Sequence, residues 1–189
     1  MNAVTLDEAW PGFGEAVTVA ELDRMPDEGH RYELMDGVLI ASPRPTTVHQ
    51  LVATRLSSLL DRECPESLGV VVEPALQLDA RTEFDPDLVV VPLDEVGGAK
   101  FTAPPLLVVE VRSPSTAMFD LKRRKAAYAK FGVLSYWIVD PNPATPELAV
   151  FELRDGSYFH LATTTQPFTV AQPFEVTVDP GKLTRGLSR

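Results

Sequence analysis

Two short runs of almost uninterrupted aliphatic residues, each touched by one acid, constrain this chain most. Leu88-Val89-Val90-Val91 follows Asp87, and Leu106-Leu107-Val108-Val109-Glu110-Val111 carries Glu110 within it. Runs this short, apolar at both alternating sets of positions, predict strands covered on both faces, hence the middle of a sheet. A carboxylate inside such a strand is costly unless it is paired, hydrogen-bonded or bound to metal. If the two strands are neighbours, about 4.8 Å apart, Asp87 and Glu110 converge at one end of the sheet and can share one cation. The simpler alternatives are that Asp85-Pro86-Asp87 only turns the chain and that Glu110 only pairs with an arginine.

The surrounding elements fit a sheet with helices packed on it. Residues 18–25 read as a short helix, with Thr18 as N-cap, Glu21 at the capping-box position, and Pro26 and Gly29 as breakers. Asp36-Gly37 between two apolar arms predicts a hairpin closed by a type I′ turn, which needs positive φ at both central residues. A helix over 47–62, capped by Thr46 or Thr47, has its apolar positions at helical spacing. Strands are expected at 70–72, 75–78, 87–91 and 106–111, then a helix at 118–131 ended by Gly132, then strands at 136–139, 148–153, 157–162 and 174–178. The fold class is therefore α/β or α+β, a central mixed sheet flanked by helices, preceded by a small helix and a hairpin. The expected division is a loose lead-in over 1–17, one domain over 18–180 and a loose tail over 181–189.

Composition narrows the function classes. At 189 residues and 44% hydrophobic, the chain suits one domain with one filled core. No apolar run approaches the roughly 20 residues that span a bilayer, and the first residues lack the basic and apolar regions of a secretory signal. One cysteine, Cys64, excludes an internal disulfide and suits a reducing cytosol, so a cytoplasmic location with no membrane partner is expected. With three histidines besides, a closed structural zinc site is not available. A metal would be held by carboxylates, which suit Mg2+ or Mn2+. The net charge of −10 counts against broad DNA binding and confines any contact with phosphates to a local basic patch.

In order along the chain, these segments form a pattern. Tyr32-Glu33-Leu34-Met35-Asp36-Gly37 comes first, followed by His49 in the next helix and Pro86-Asp87-Leu88-Val89-Val90-Val91. Then come Val109-Glu110-Val111-Arg112-Ser113-Pro114-Ser115-Thr116, the stretch from Asp120 to Tyr128, and Gly132-Val133 to Tyr136-Trp137-Ile138-Val139-Asp140. Across roughly 18–153 the chain resembles the Uma2 family of PD-(D/E)XK endonuclease-like proteins. The resemblance implies a restriction-endonuclease-like core and a Mg2+- or Mn2+-dependent endonuclease that hydrolyses DNA phosphodiesters. Asp87 and Glu110 would hold the metal, with Glu33 as a third acid.

The resemblance also calls for a cationic side chain at the site. Arg112 stands at the motif's lysine position, and strand alternation puts it on the face of Glu110. The family pattern offers a substitute lysine from the following helix, where this chain has Arg124, with Lys125 beside it. Arg124 and Lys125 both lie within about 60° of Tyr128 around the helix, so both are candidates, whereas Lys122 points to solvent. Lys122, Arg123 and Lys130, with these two, make the one dense basic stretch, and either it meets DNA phosphates or it is a solvated helix face. His49 reads mainly as a packing residue, with a catalytic role as the alternative. Ser113 to Thr116 reads as a turn and helix cap, and Tyr128, Tyr136 and Trp137 as core. A homodimer would suit cutting of both strands. The alternative is an inactive nuclease fold kept as a binding module, motivated by the acidic surface and by arginine at positions 112 and 124.

Overall fold

The computed structural model describes residues 16–25, 31–42, 44–113 and 118–187. Its centre is a six-stranded mixed sheet in the order β10-β9-β8-β7-β6-β3. The strands are β3 (Leu68–Val72), β6 (Leu88–Pro92), β7 (Leu107–Val111), β8 (Ser135–Asp140), β9 (Glu147–Arg154) and β10 (Ser157–Thr164). As the two apolar runs predict, β6 and β7 are neighbours and lie in the sheet interior; all five residues of β7 are buried.

The helix α2 (Thr47–Glu63) covers one face through Val52, Ala53, Leu56 and Leu60, against Leu88, Val90, Val109 and Trp137 among others. The helix α3 (Met118–Phe131) covers the other face, where Tyr128 packs with Val89, Val108 and Tyr136. β7 and β8 run parallel, so α3 is the crossover between them, the usual way to join parallel strands. Gly132, at φ +104°, ends α3 as expected.

A smaller four-stranded sheet, β2-β1-β5-β4, lies on the α3 side. It contains β1 (Arg31–Met35), β2 (Val38–Ser42), β4 (Leu76–Asp79) and β5 (Thr82–Phe84). Asp36 and Gly37 both have positive φ, 51° and 82°, which is the type I′ signature. Period-2 alternation turns Met35, and with it Glu33, toward α3, and turns Leu34 toward Val17 and toward Val19 at the start of the small helix α1 (Val19–Leu22). At Thr18, Glu21 completes the expected capping box.

Three expectations need correction. The lead-in is not loose up to residue 17, because Val17 is buried and its N–H donates to the Gly37 carbonyl at 2.8 Å. The tail does not come loose at Gly181. Asp179 caps a short helix, α4 (Pro180–Leu183), and Leu183 is buried against the α2 side of the core. Pro180 at the first helical position is a helix-start signal, not a breaker. The region expected to hold one strand over 174–178 holds a hairpin instead, β11 (Phe168–Val170) with β12 (Val176–Val178). Residues 1–15, Pro26 and Gly29, and all but Ser113 of the turn and cap expected over Ser113 to Thr116 fall outside the described residues.

Candidate metal centre

The site forms where the ends of β6 and β7, the hairpin strand β1 and α3 meet. β6 and β7 pair antiparallel with Leu88 opposite Val109. Continuing that register one step sets Asp87 against Glu110, and directly opposed residues project from the same face. Both are buried, at 5% and 8% exposure, and so are Glu33, His49 and Arg124.

Each acid has defined partners. Asp87 Oδ2 accepts the Val111 backbone N–H at 2.6 Å and lies 3.2 Å from His49 Nε2. Glu110 Oε1 accepts the Tyr128 hydroxyl at 2.8 Å and Arg124 Nη1 at 3.4 Å. Glu33 Oε1 accepts Arg124 Nη1 at 2.9 Å and the Asp85 backbone N–H at 2.8 Å, and Arg124 Nη2 donates to Glu33 Oε2. The Arg124 guanidinium also lies over the Phe84 ring, 4.7 Å from its centroid. Leu121, Arg124 and Tyr128 share the buried side of α3, so helical spacing aims the arginine and the tyrosine at the same carboxylates.

Burial and charge tune these groups. Burial pushes Glu110 up to about 7; Arg124 and the Tyr128 hydrogen bond oppose that, while Asp87 and Glu33 add to it. Burial pulls His49 down, but its hydrogen bond to Asp87 and that residue's charge outweigh burial, and its pKa is raised. Arg124 is likewise held protonated against burial by Glu110, Tyr128 and Glu33.

The remaining candidates lie elsewhere. Arg112 continues the ladder, its N–H donating to the Val139 carbonyl at 2.7 Å, and keeps the face of Glu110 beside Ile138, but its guanidinium donates to Asp140 Oδ2 at 2.8 Å and not to the acids of the site. Lys125 rests its ammonium on the Phe151 ring, 3.3 Å from the centroid, with burial lowering its pKa. Of the two helix candidates, Arg124 therefore reaches the acids and Lys125 does not. The basic stretch does not form one patch. Lys122 and Lys125 border one groove and Arg123 and Lys130 another, with Arg124 buried between. Trp137, Tyr128 and Tyr136 are core residues. His49, which pattern alone favours as packing, is the neighbour of Asp87. The available signal is its place in the first turn of α2, where the Thr46 hydroxyl accepts the His49 N–H at 3.2 Å and fixes the helix start.

The donor set suits a hard cation. Asp87 Oδ1 and Glu110 Oε2 have no hydrogen-bond partner among the described residues. Mg2+ commonly keeps several waters and takes only one or two carboxylates. Among the described residues no group of three His, Cys, Asp or Glu could hold an ion alone, so waters or substrate oxygens would complete the shell.

A solved structure described as "a putative nuclease belonging to DUF820", from Anabaena variabilis, shares the fold. The TM-score is 0.73 at 15% identity, over 89% of this chain and 99% of that one. No curated protein matches the chain. The family model for Uma2, described as "Putative restriction endonuclease", matches residues 19–179. With a matching family model over most of its length and a nuclease-like fold, the chain belongs to the Uma2 family.

Proposed function

We propose that this protein is a divalent-metal-dependent nuclease that hydrolyses phosphodiester bonds of DNA. The observation that carries the reading is the buried pair Asp87 and Glu110, opposed at the ends of adjacent central strands, with an arginine from the crossover helix beside them. Asp87 and Glu110 would hold Mg2+ or Mn2+, which, when bound, polarises the phosphodiester and lowers the pKa of a water. Arg124 supplies positive charge where negative charge develops, and cannot act as a base because its buried acidic neighbours hold it protonated. Glu33 orients Arg124 through a two-point contact. His49 and the Val111 N–H together fix Asp87 Oδ2, and the Asp87 carboxylate so oriented would be one of the groups that hold the metal.

The test is nicking of supercoiled plasmid with Mg2+ or Mn2+. Wild type should nick and Asp87→Ala should not; equal cleavage by both would end the reading.

A second reading has its own support. Arg124 already contacts both Glu33 and Glu110 and offsets part of their charge without a metal, and a binding module without catalysis is the alternative. Calorimetry separates the two: a folded sample that binds neither Mg2+ nor Mn2+ favours the binding module, whose partner would be a protein given the charge of −10.

A further inference from the structure

A same-face row of residues crosses the sheet from the acids to an open groove. Glu110 pairs with Ile138 on β8, and Ile138 pairs with Ala149 on β9. At about 4.8 Å per strand, the row reaches Ala149 roughly 10 Å from Glu110. α3 seals the start of this face over Val108 and Tyr136, but Ile138, Ala149 and Phe151 are only half-buried. They floor a groove of about 290 Å³.

The rim is cationic. Lys122, Lys125 and Arg112 border the groove, along with the acids Asp140 and Glu147, and Arg112 neutralises Asp140. On a chain of net charge −10, positive charge above an apolar aromatic floor is locally specific. Such a combination suits a flat aromatic ring carrying a phosphate, as single-strand binding surfaces show.

We infer that this groove is a subsite for one unpaired nucleotide of a DNA strand, next to the scissile phosphate. Its base lies on Ile138, Ala149 and Phe151, and its phosphate meets Lys122 and Lys125. A base stacked on Phe151 takes the place of the Lys125 ammonium, which then turns from the ring to the phosphate. A paired base is held in the duplex stack and cannot enter, so the subsite favours single-stranded or locally opened DNA over intact duplex. This inference rests on the nuclease reading for its place beside a cleaved phosphate.

The test measures binding of a fluorescein-labelled single-stranded 12-mer, and of its duplex, by anisotropy in EDTA across a salt series. Wild type should bind the single strand more tightly than the duplex. Phe151→Leu keeps the floor apolar but removes the ring, and should weaken single-strand binding about tenfold. Lys122 is exposed, so Lys122→Ser does not threaten folding; it should lower the log–log salt slope by about 0.7, the loss of one phosphate contact on a single strand. Arg185→Ser, just past the C-terminal helix α4 on the α2 side of the sheet, should leave the slope unchanged. Equal affinity for single strand and duplex, or wild-type binding by both groove variants, would overturn the inference. Hydrolysis of bis(p-nitrophenyl) phosphate with Mn2+ reads the metal centre alone. If it is lost in Asp87→Ala while the groove variants bind like wild type, the subsite fails and the nuclease reading stands. Groove-dependent binding without any hydrolysis keeps the nucleotide site and overturns the nuclease reading.

Discussion

Arg124 and Glu33 meet through two parallel contacts, Nη1 on Oε1 at 2.9 Å and Nη2 on Oε2, with both side chains almost wholly buried. One residue comes from the hairpin and the other from the crossover helix, 91 positions later. The pair ties the small sheet to the central one at the site itself, and the same guanidinium reaches Glu110.

Removing that cation strands two buried acids. Arg124→Ala should cost about 3 kcal/mol of stability, because an uncompensated charge is left in the interior. Arg124→Lys restores charge but not the two-point geometry, and should recover part of the loss. Urea unfolding of the three proteins checks this, and an alanine variant as stable as wild type would show that the pair carries no weight.

His49 bears on Asp87 rather than on substrate. His49→Ala should weaken Mn2+ binding or activity by roughly 10- to 100-fold, the usual cost of losing a partner that orients a metal ligand. His49→Gln keeps a donor on the same helix face and should restore part of it. Calorimetric titration with Mn2+ reads the effect apart from catalysis.

The Glu110 carboxyl gives stability a pH dependence of definite sign. Its folded pKa, about 7, lies above the ordinary 4.5, so between those values the native state holds a proton that the unfolded chain has released. Stability therefore falls as pH rises from about 4.5 toward 7, by on the order of 1–3 kcal/mol from this group. His49, raised above 6.5 by Asp87, adds a loss in the same direction as pH climbs through its folded value. Without added metal, denaturation midpoints from pH 5 to 8 should decline, and Glu110→Gln should flatten the decline. A flat wild-type profile would contradict both shifts.

The C-terminal helix is part of the core. Leu183 sits at 4% exposure against the α2 side of the sheet, and the Arg55 guanidinium donates to the Leu183 and Arg185 carbonyls at 2.8 and 2.9 Å. Leu183→Ala should cost about 2–4 kcal/mol. A change within about 0.5 kcal/mol, as for a surface residue, would restore the picture of a loose tail.

Much of the fold is legible in local pattern. The apolar runs around Asp87 and Glu110 determine the centre of the sheet, because a strand buried on both faces has no polar face to show. Asp36-Gly37 determines the hairpin, and the helical spacing within 118–131 determines a helix that brings Arg124 and Tyr128 to one side. β5 and β11, three residues each, are too short to leave a periodic signal. The choice of Arg124 over Lys125 is not legible either. Helical geometry allows both, and only the packing of α3 against β1 and β7 turns one onto the acids and leaves the other on Phe151. The partners of Asp87 and Arg112 are settled the same way. Whether a charged side chain meets an acid, a ring or solvent depends on which distant strand ends beside it, and that is a property of the assembled sheet, not of any window of sequence.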